Sequence, residues 1–276
     1  MDRTKRNERL GVMAQLLTRN PNMIHTFSEF TELFGSAKST ISEDVDLIAD
    51  AFAKFGLGTV HTVAGASGGV YFRPTVRQED ARNVLTELSE KLSEPDRLLP
   101  GGFLYTSDIT SDPVITETLG RIFATRFYDL SPDFVITMET KGIPLALMTA
   151  RALNVPLVIT RRDSKAYEGS AVKISYISGG DNERIETMAL SRRAVRAGQR
   201  ALIIDDFMKG GGTLQGMVDM MAEFQAEVVG IGVMISTSLP ESKRCKGAKA
   251  LLHIKKMDRE NGICLVVPNE EFLNEI

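Results

Sequence analysis

The stretch from Ala201 to Leu214, Ala-Leu-Ile-Ile-Asp-Asp-Phe-Met-Lys-Gly-Gly-Gly-Thr-Leu, constrains this 276-residue chain more than any other. Its four leading apolar residues predict a buried strand ending at Ile204. Two carboxylates, Asp205 and Asp206, stand where that strand is expected to stop, and Phe207, Met208, Lys209, Gly210, Gly211, Gly212 and Thr213 follow. The apolar run from Leu214 to Phe224 then predicts a helix. A strand that passes through a glycine turn into a helix aims unpaired backbone N–H groups at one point. The helix dipole is positive there, so that point attracts phosphate. Glycines let an anion come close to the backbone. The carboxylates would repel a phosphate; they suit the hydroxyls of a ribose, or a magnesium ion. Neither the Walker spacing Gly-x-x-x-x-Gly-Lys-Ser/Thr nor the dinucleotide spacing Gly-x-Gly-x-x-Gly occurs.

Around this stretch strands and helices alternate. Phe134–Met138 and Pro156–Thr160 read as buried strands, with a turn at Glu139–Pro144 and a helix at Leu145–Leu153 between them, and Val228–Ile235 reads as a further strand. The alternation predicts a parallel α/β sheet with crossover helices, whose ligands sit beyond the carboxyl ends of the strands. Thr140, Lys141 and Gly142 follow one strand and Asp205 to Thr213 another, so both are expected at one crevice. Gly142 is read as permitting a tight turn whose N–H groups, with Lys141, hold phosphate oxygens. Between the strands lie two polar β segments, Ser170–Tyr176 and Arg184–Ala189, joined by Ser178–Asn182. Arg161, Arg162 and Lys165 beside them either neutralise a bound pyrophosphate or only solvate the surface. Arg192, Arg193, Arg196 and Arg200 read as a basic helix end, and Ala250–Ile254 with Ile263–Val267 as strands of a small covering hood.

The front of the chain has another character. Arg3–Asn20 reads as a helix with Leu10, Met13, Leu16 and Leu17 on one face. A second helix starts after Thr26, with Ser28 as its candidate cap, and ends at Gly35. A serine-capped third helix opens in Ser36-Ala37-Lys38-Ser39-Thr40-Ile41-Ser42. Gly58–Val63 and Val70–Arg73 predict a hairpin across a glycine-rich tip that includes Gly68. Three helices and a two-stranded hairpin are the layout of a winged helix-turn-helix. Ser36, Lys38, Ser39, Thr40 and Ser42 would enter a major groove, Arg3, Lys5 and Arg6 would join the DNA face, and the tip with Gly68 would approach the phosphate backbone or the minor groove. Eight bases balance eight acids over residues 1–74, with four of the bases in the first nine residues. A winged helix used for protein contacts stays an alternative. The polar helix Thr75–Glu94 is read as the connector, and Glu94–Phe103 as a loop.

Net charge is −3, so no global basic bias points to nucleic acid, and 43% hydrophobic residues support a core. Cys245 and Cys264 have no metal-ligand spacing and read as small buried residues of a reducing compartment. No apolar run nears the roughly 20 residues of a membrane span. A soluble cytoplasmic protein with no metal site of its own is expected.

The stretch around Asp205 resembles the phosphoribosyl-pyrophosphate (PRPP) motif of type I phosphoribosyltransferases, and Thr140-Lys141-Gly142 resembles their pyrophosphate loop. With Ser36 to Asp44, Gly65 to Gly69, Leu99 to Gly102, Thr140 to Ala146 and Ile203 to Thr213, nearly the whole chain resembles the purine operon repressors of Gram-positive type. That resemblance implies a winged-helix DNA-binding domain over residues 1–74 and a phosphoribosyltransferase-like effector domain over 75–276. It implies a homodimer that binds operator DNA of purine synthesis and salvage genes and performs no transferase reaction. PRPP would be the inducer, with Asp205 and Asp206 on its ribose hydroxyls and Lys209 to Thr213 on its 5′-phosphate. Guanosine tetraphosphate-type nucleotides would compete for the pocket, and Phe103 would lie near the effector. An active purine phosphoribosyltransferase with an appended regulatory domain is the alternative; Asp163 and Glu168 are its candidate lid acids.

Overall fold

The computed structural model describes residues 4–65, 68–100, 103–163, 169–179, 184–258 and 261–276. The chain divides into two compact units, Met1–Arg77 with Arg151–Asn154, and Gln78–Ala150 with Val155–Ile276.

In the first unit, α1 (Arg6–Arg19) buries Met13 and Leu17. The short strand β1 (His25–Thr26) leads into α2 (Phe27–Phe34). Thr26, not Ser28, caps α2: its hydroxyl accepts from the Glu29 N–H at 3.1 Å, and Glu29 returns a carboxylate to the Thr26 N–H at 3.2 Å. Gly35 ends α2 at φ 59°, where a side chain would be strained. The next helix, α3 (Lys38–Phe55), starts at Ala37 with no side-chain cap, so the expected serine cap does not form. Strands β2 (Thr59–Val63) and β3 (Gly69–Arg73) pair as the hairpin, and β1 pairs with β3 to give the order β1-β3-β2. The two-stranded wing expected from sequence therefore gains a third strand; two residues are too short to show a period of two. Phe30, Phe34, Ile41, Val45, Ile48, Val70 and Phe72 form the core between helices and sheet. Burying each such side chain contributes roughly 1.5–3 kcal/mol.

The second unit begins with α4 (Gln78–Leu92), which buries Ala81, Leu85, Leu88 and Leu92. The segment expected as a loop holds a short antiparallel pair, β4 (Leu98–Leu99) with β5 (Phe103–Leu104), anchored by Arg97, which donates to both carboxylate oxygens of Asp108 at 2.9 Å. After α5 (Ser107–Thr110) comes α6 (Pro113–Phe127), capped by Asp112, which accepts from the Val114 and Ile115 N–H groups. The alternation then runs β6 (Phe134–Met138), α7 (Ile143–Leu153), β7 (Leu157–Thr160), the hairpin β8 (Ala171–Ser178) and β9 (Arg184–Ser191), β10 (Arg200–Met208), α8 (Gly212–Glu223) and β11 (Glu227–Thr237). It closes with β12 (Lys249–Asp258), β13 (Ile263–Pro268) and α9 (Glu270–Leu273).

Among the described residues, six strands form the main sheet in the order β13-β12-β11-β10-β6-β7, parallel except for β13. Two expectations fail here. The last two strands are no hood: they continue the main sheet, with β12 parallel to β11 and β13 antiparallel beside it. Arg192, Arg193 and Arg196 lie in turns after β9, not on a helix, and Arg200 opens β10. The core gathers Phe134, Ile136, Ile203 and Val233 of the sheet with Met217, Met220 and Met221 of α8.

Candidate functional site

Strand β10 runs four residues past Ile204, so Asp205 and Asp206 lie inside it rather than at its end. The pairing of Asp205 with Val233 and of Phe207 with Ile235 of β11 holds that extension. A cavity of about 350 Å³ opens beside the pair, lined by Met138, Glu139, Thr140, Lys141, Arg162, Tyr176, Glu186, Asp205, Asp206, Phe207 and Thr213. The acid pair, the loop after β6 and the threonine that opens α8 thus meet at one pocket. It sits at the carboxyl ends of the central strands, where an open α/β sheet binds its ligands.

Asp205 is 6% exposed, and its Oδ1 accepts from the Asp206 N–H at 3.0 Å. Burial, and then the neighbouring Asp206 charge, hold its carboxyl well above the ordinary carboxylate range. Burial raises Asp206 too, against the pull of Lys141 and of backbone N–H groups. Two carboxylates that resist ionisation together are poised for a partner that donates to both. Gly142 serves this pair by its bareness rather than by a left-handed turn. A Cβ there would come within 2.3 Å of Asp205 Oδ1 and 2.6 Å of Thr137 Oγ1. Among the described residues Thr137 Oγ1, which is buried, has no hydrogen-bond partner.

The glycine run divides its work. Gly211 takes φ 80° and caps α8, a conformation that favours glycine. Gly212 lies against the β8 backbone, where a Cβ would fall 1.8 Å from the Ile177 carbonyl oxygen. The β8–β9 hairpin therefore rests on the start of α8. Cross-strand partners Tyr176 and Glu186 face the cavity from it, the phenol donating to Glu186 Oε2 at 2.8 Å with Thr213 also bonded to the phenol. Burial, then the Glu186 carboxylate, push the Tyr176 phenol up to about 12. Tyr176 and Glu186 were missed from sequence, although pairing the two polar segments about residue 181 places them opposite each other.

Other expected residues fare unevenly. Met208 buries its side chain in the core, and Phe103 is 70% exposed on β5 and does not line the cavity. Lys209 and Gly210 belong to the turn without lining the cavity. Arg162 lines it and donates its N–H to Glu139 Oε1 at 2.8 Å, while Arg161 pairs with the same carboxylate at 3.4 Å. Lys165 and Glu168 lie outside the described residues.

In the first unit, Lys38 and Ser39 are exposed at the start of α3, with Thr40 and Ser42 half-buried behind them. The Lys38 ammonium lies 5.4 Å from the centre of the Phe27 ring. The first turn carries no acid and the cap makes no side-chain bond, so no side chain of the cap or first turn competes for the leading N–H groups. Lys5 is exposed at the start of α1, whereas Ser36 is half-buried with its hydroxyl 3.4 Å from the Phe34 carbonyl. Arg3 lies outside the described residues. Arg6 is already engaged: its Nε donates to Asp44 at 2.9 Å and it reaches Glu43 at 3.8 Å. Asp44 is fully buried and takes a second bond from Arg9 at 2.7 Å, so Arg6, expected on the DNA face, also ties α1 to α3 while its side chain stays half exposed. The Gly68 backbone is required by the hairpin itself, since a Cβ would meet the Val63 carbonyl at 2.4 Å.

Residues 5–74 match the family model described as bacterial purine repressor, N-terminal, and residues 107–267 match the phosphoribosyl transferase domain. The probable purine biosynthesis transcriptional regulator of Streptococcus pneumoniae is 44% identical over 93% of this chain and 94% of its own length. The chain belongs to the bacterial purine repressor family. Within that family, the purine biosynthesis transcriptional repressor of Bacillus subtilis is 45% identical over 84% of this chain and 81% of its own. The purine biosynthesis transcriptional activator of Lactococcus lactis is 38% identical over 93% and 94%. Among solved structures, adenine phosphoribosyltransferase of Giardia lamblia has a TM-score of 0.53 and 19% identity, covering 66% of this chain and 100% of that one. That likeness shows the fold of the second unit. Among the described residues no helix is long and apolar enough to cross a membrane.

Proposed function

We propose that this chain is a DNA-binding transcriptional repressor of purine biosynthesis and salvage genes, and that its second unit binds PRPP as an inducer without consuming it. One observation carries the reading: an acid pair, a lysine-bearing loop and Thr213 at the start of α8 line one cavity in a chain whose first unit matches the purine-repressor module. Asp205 and Asp206 accept from the ribose hydroxyls, Lys209 to Thr213 take the 5′-phosphate, and Thr140 to Gly142 with Arg162 take the pyrophosphate. Among the described residues no cluster of three or more His, Cys, Asp or Glu side chains could hold a metal. A magnesium ion would come with the pyrophosphate and meet the acid pair. Guanosine tetraphosphate-type nucleotides, with phosphates at two positions, compete for the same cradles. The first unit reads DNA through the start of α3, and a homodimer sets two such helices on a palindromic operator.

An inducer acts only if it binds the DNA-free form better than the DNA-bound form. Operator retardation on a gel with and without PRPP tests this. PRPP should release wild-type protein, while Asp205→Ala and Asp206→Ala should hold operator and ignore PRPP. An unchanged response in those variants would exclude the acid pair as the inducer site. A second reading, purine phosphoribosyl transfer, is favoured by the match of residues 107–267 to the transferase domain. Nucleotide formed from PRPP and purine bases would replace the non-catalytic reading with this one.

A further inference from the structure

The turn between β10 and α8 is held from outside by the segment that follows β11. Lys243 Nζ donates to the Lys209 carbonyl and, at 3.1 Å, to Thr237 Oγ1. The Arg244 N–H donates to the Gly210 carbonyl at 2.9 Å. Cys245 closes the same side, where a Cβ on Gly211 would come within 3.0 Å of its nitrogen.

These contacts decide where the amides of the turn point. In a trans peptide the N–H lies opposite the C=O of the same plane. The plane that carries the Lys209 carbonyl also carries the Gly210 N–H, and the plane of the Gly210 carbonyl carries the Gly211 N–H. Cis bonds among the described residues lie elsewhere, at Glu139–Thr140 and Leu239–Pro240. With both carbonyls held toward Lys243 and Arg244, both N–H groups face the other way, and among the described residues neither has an acceptor. Burial, with the nearby Lys209 ammonium, pulls the Lys243 ammonium below the usual lysine range, so this lysine holds its place at some electrostatic cost.

We propose that Lys243 is a positioning residue for the anion cradle: by holding the Lys209 carbonyl outward it presets the Gly210 N–H for a phosphate monoester, beside the Gly211 N–H that the Arg244 backbone orients. It acts through the backbone and does not touch the ligand. The inference rests on the effector reading above and goes beyond it by assigning the orientation of the cradle to a side chain outside it.

Calorimetry on the full chain, with ribose 5-phosphate and inorganic pyrophosphate as separate probes, tests the assignment. Lys243→Met should weaken ribose 5-phosphate binding about tenfold, a loss of about 1.4 kcal/mol, with pyrophosphate affinity and melting temperature unchanged. Lys243→Gln, which keeps one donor, should lose less and serves if the methionine variant folds poorly. Unchanged ribose 5-phosphate affinity, equal loss for both probes, or loss that tracks a fall in melting temperature in both variants overturns the assignment. If wild-type protein binds neither probe, the effector reading falls and this inference with it.

Discussion

Asp205 shows at a single residue how this chain trades stability for a site. A carboxylate whose folded-state pKa is raised binds more protons folded than unfolded, from its ordinary 3.8 upward. Stability is therefore highest below that window and falls as pH rises through it, leaving a standing cost at neutral pH. Asp205→Asn should remove that cost: the melting temperature at pH 7 should rise by a few degrees, about 1 kcal/mol, while PRPP affinity collapses. A scanning thermal melt beside a binding isotherm reads both, and a lower melting temperature would contradict the assigned strain. Ionised carboxylates accept hydroxyl hydrogen bonds more strongly than protonated ones, so PRPP binding should release protons and weaken as pH falls. Calorimetry in two buffers of different ionisation heat should show that release; equal heats would contradict it.

Two element pairings carry further predictions. The hold of α1 on α3 rests on Asp44, buried between Arg6 and Arg9. Asp44→Ala leaves Arg9 buried without its carboxylate and should destabilise the first unit by about 3–5 kcal/mol, read as an earlier transition in urea. The β8–β9 hairpin rests on α8 where Gly212 has no side chain. Gly212→Ala should lift it, raising hydrogen exchange of the β8 amides at least tenfold with the β10 amides unchanged; uniform exchange would show that the hairpin does not depend on this contact. These contacts also mark how much was legible in the sequence. Apolar runs and glycines predicted β6, β10, α8 and the parallel sheet, because burial and turn chemistry are written locally. Asp44 was hidden, since an acid on the buried face of α3 is explained only by arginines about 35 residues earlier. Strands β12 and β13 were visible as strands, yet their place in the main sheet depends on pairing that periodicity does not contain. The acid pair was legible through its motif, whereas Tyr176 and Glu186 reach the pocket only through hairpin register.

For the whole molecule, the central claim is a coupling between effector pocket and DNA reader, and coupling is reciprocal. An effector that lowers operator affinity by some factor must bind the operator complex more weakly by that factor. DNA affinity rests largely on phosphate contacts and changes steeply with salt, so both legs of the cycle belong at one ionic strength. The relatives include a protein named a repressor and one named an activator. The direct measurement is operator affinity by fluorescence anisotropy as PRPP is titrated, for wild type and Asp206→Ala. The account predicts that operator Kd rises at least tenfold for wild type, is about doubled when free PRPP equals its calorimetric Kd, and stays flat for Asp206→Ala. A wild-type operator Kd that does not move while calorimetry shows the pocket filled would contradict it.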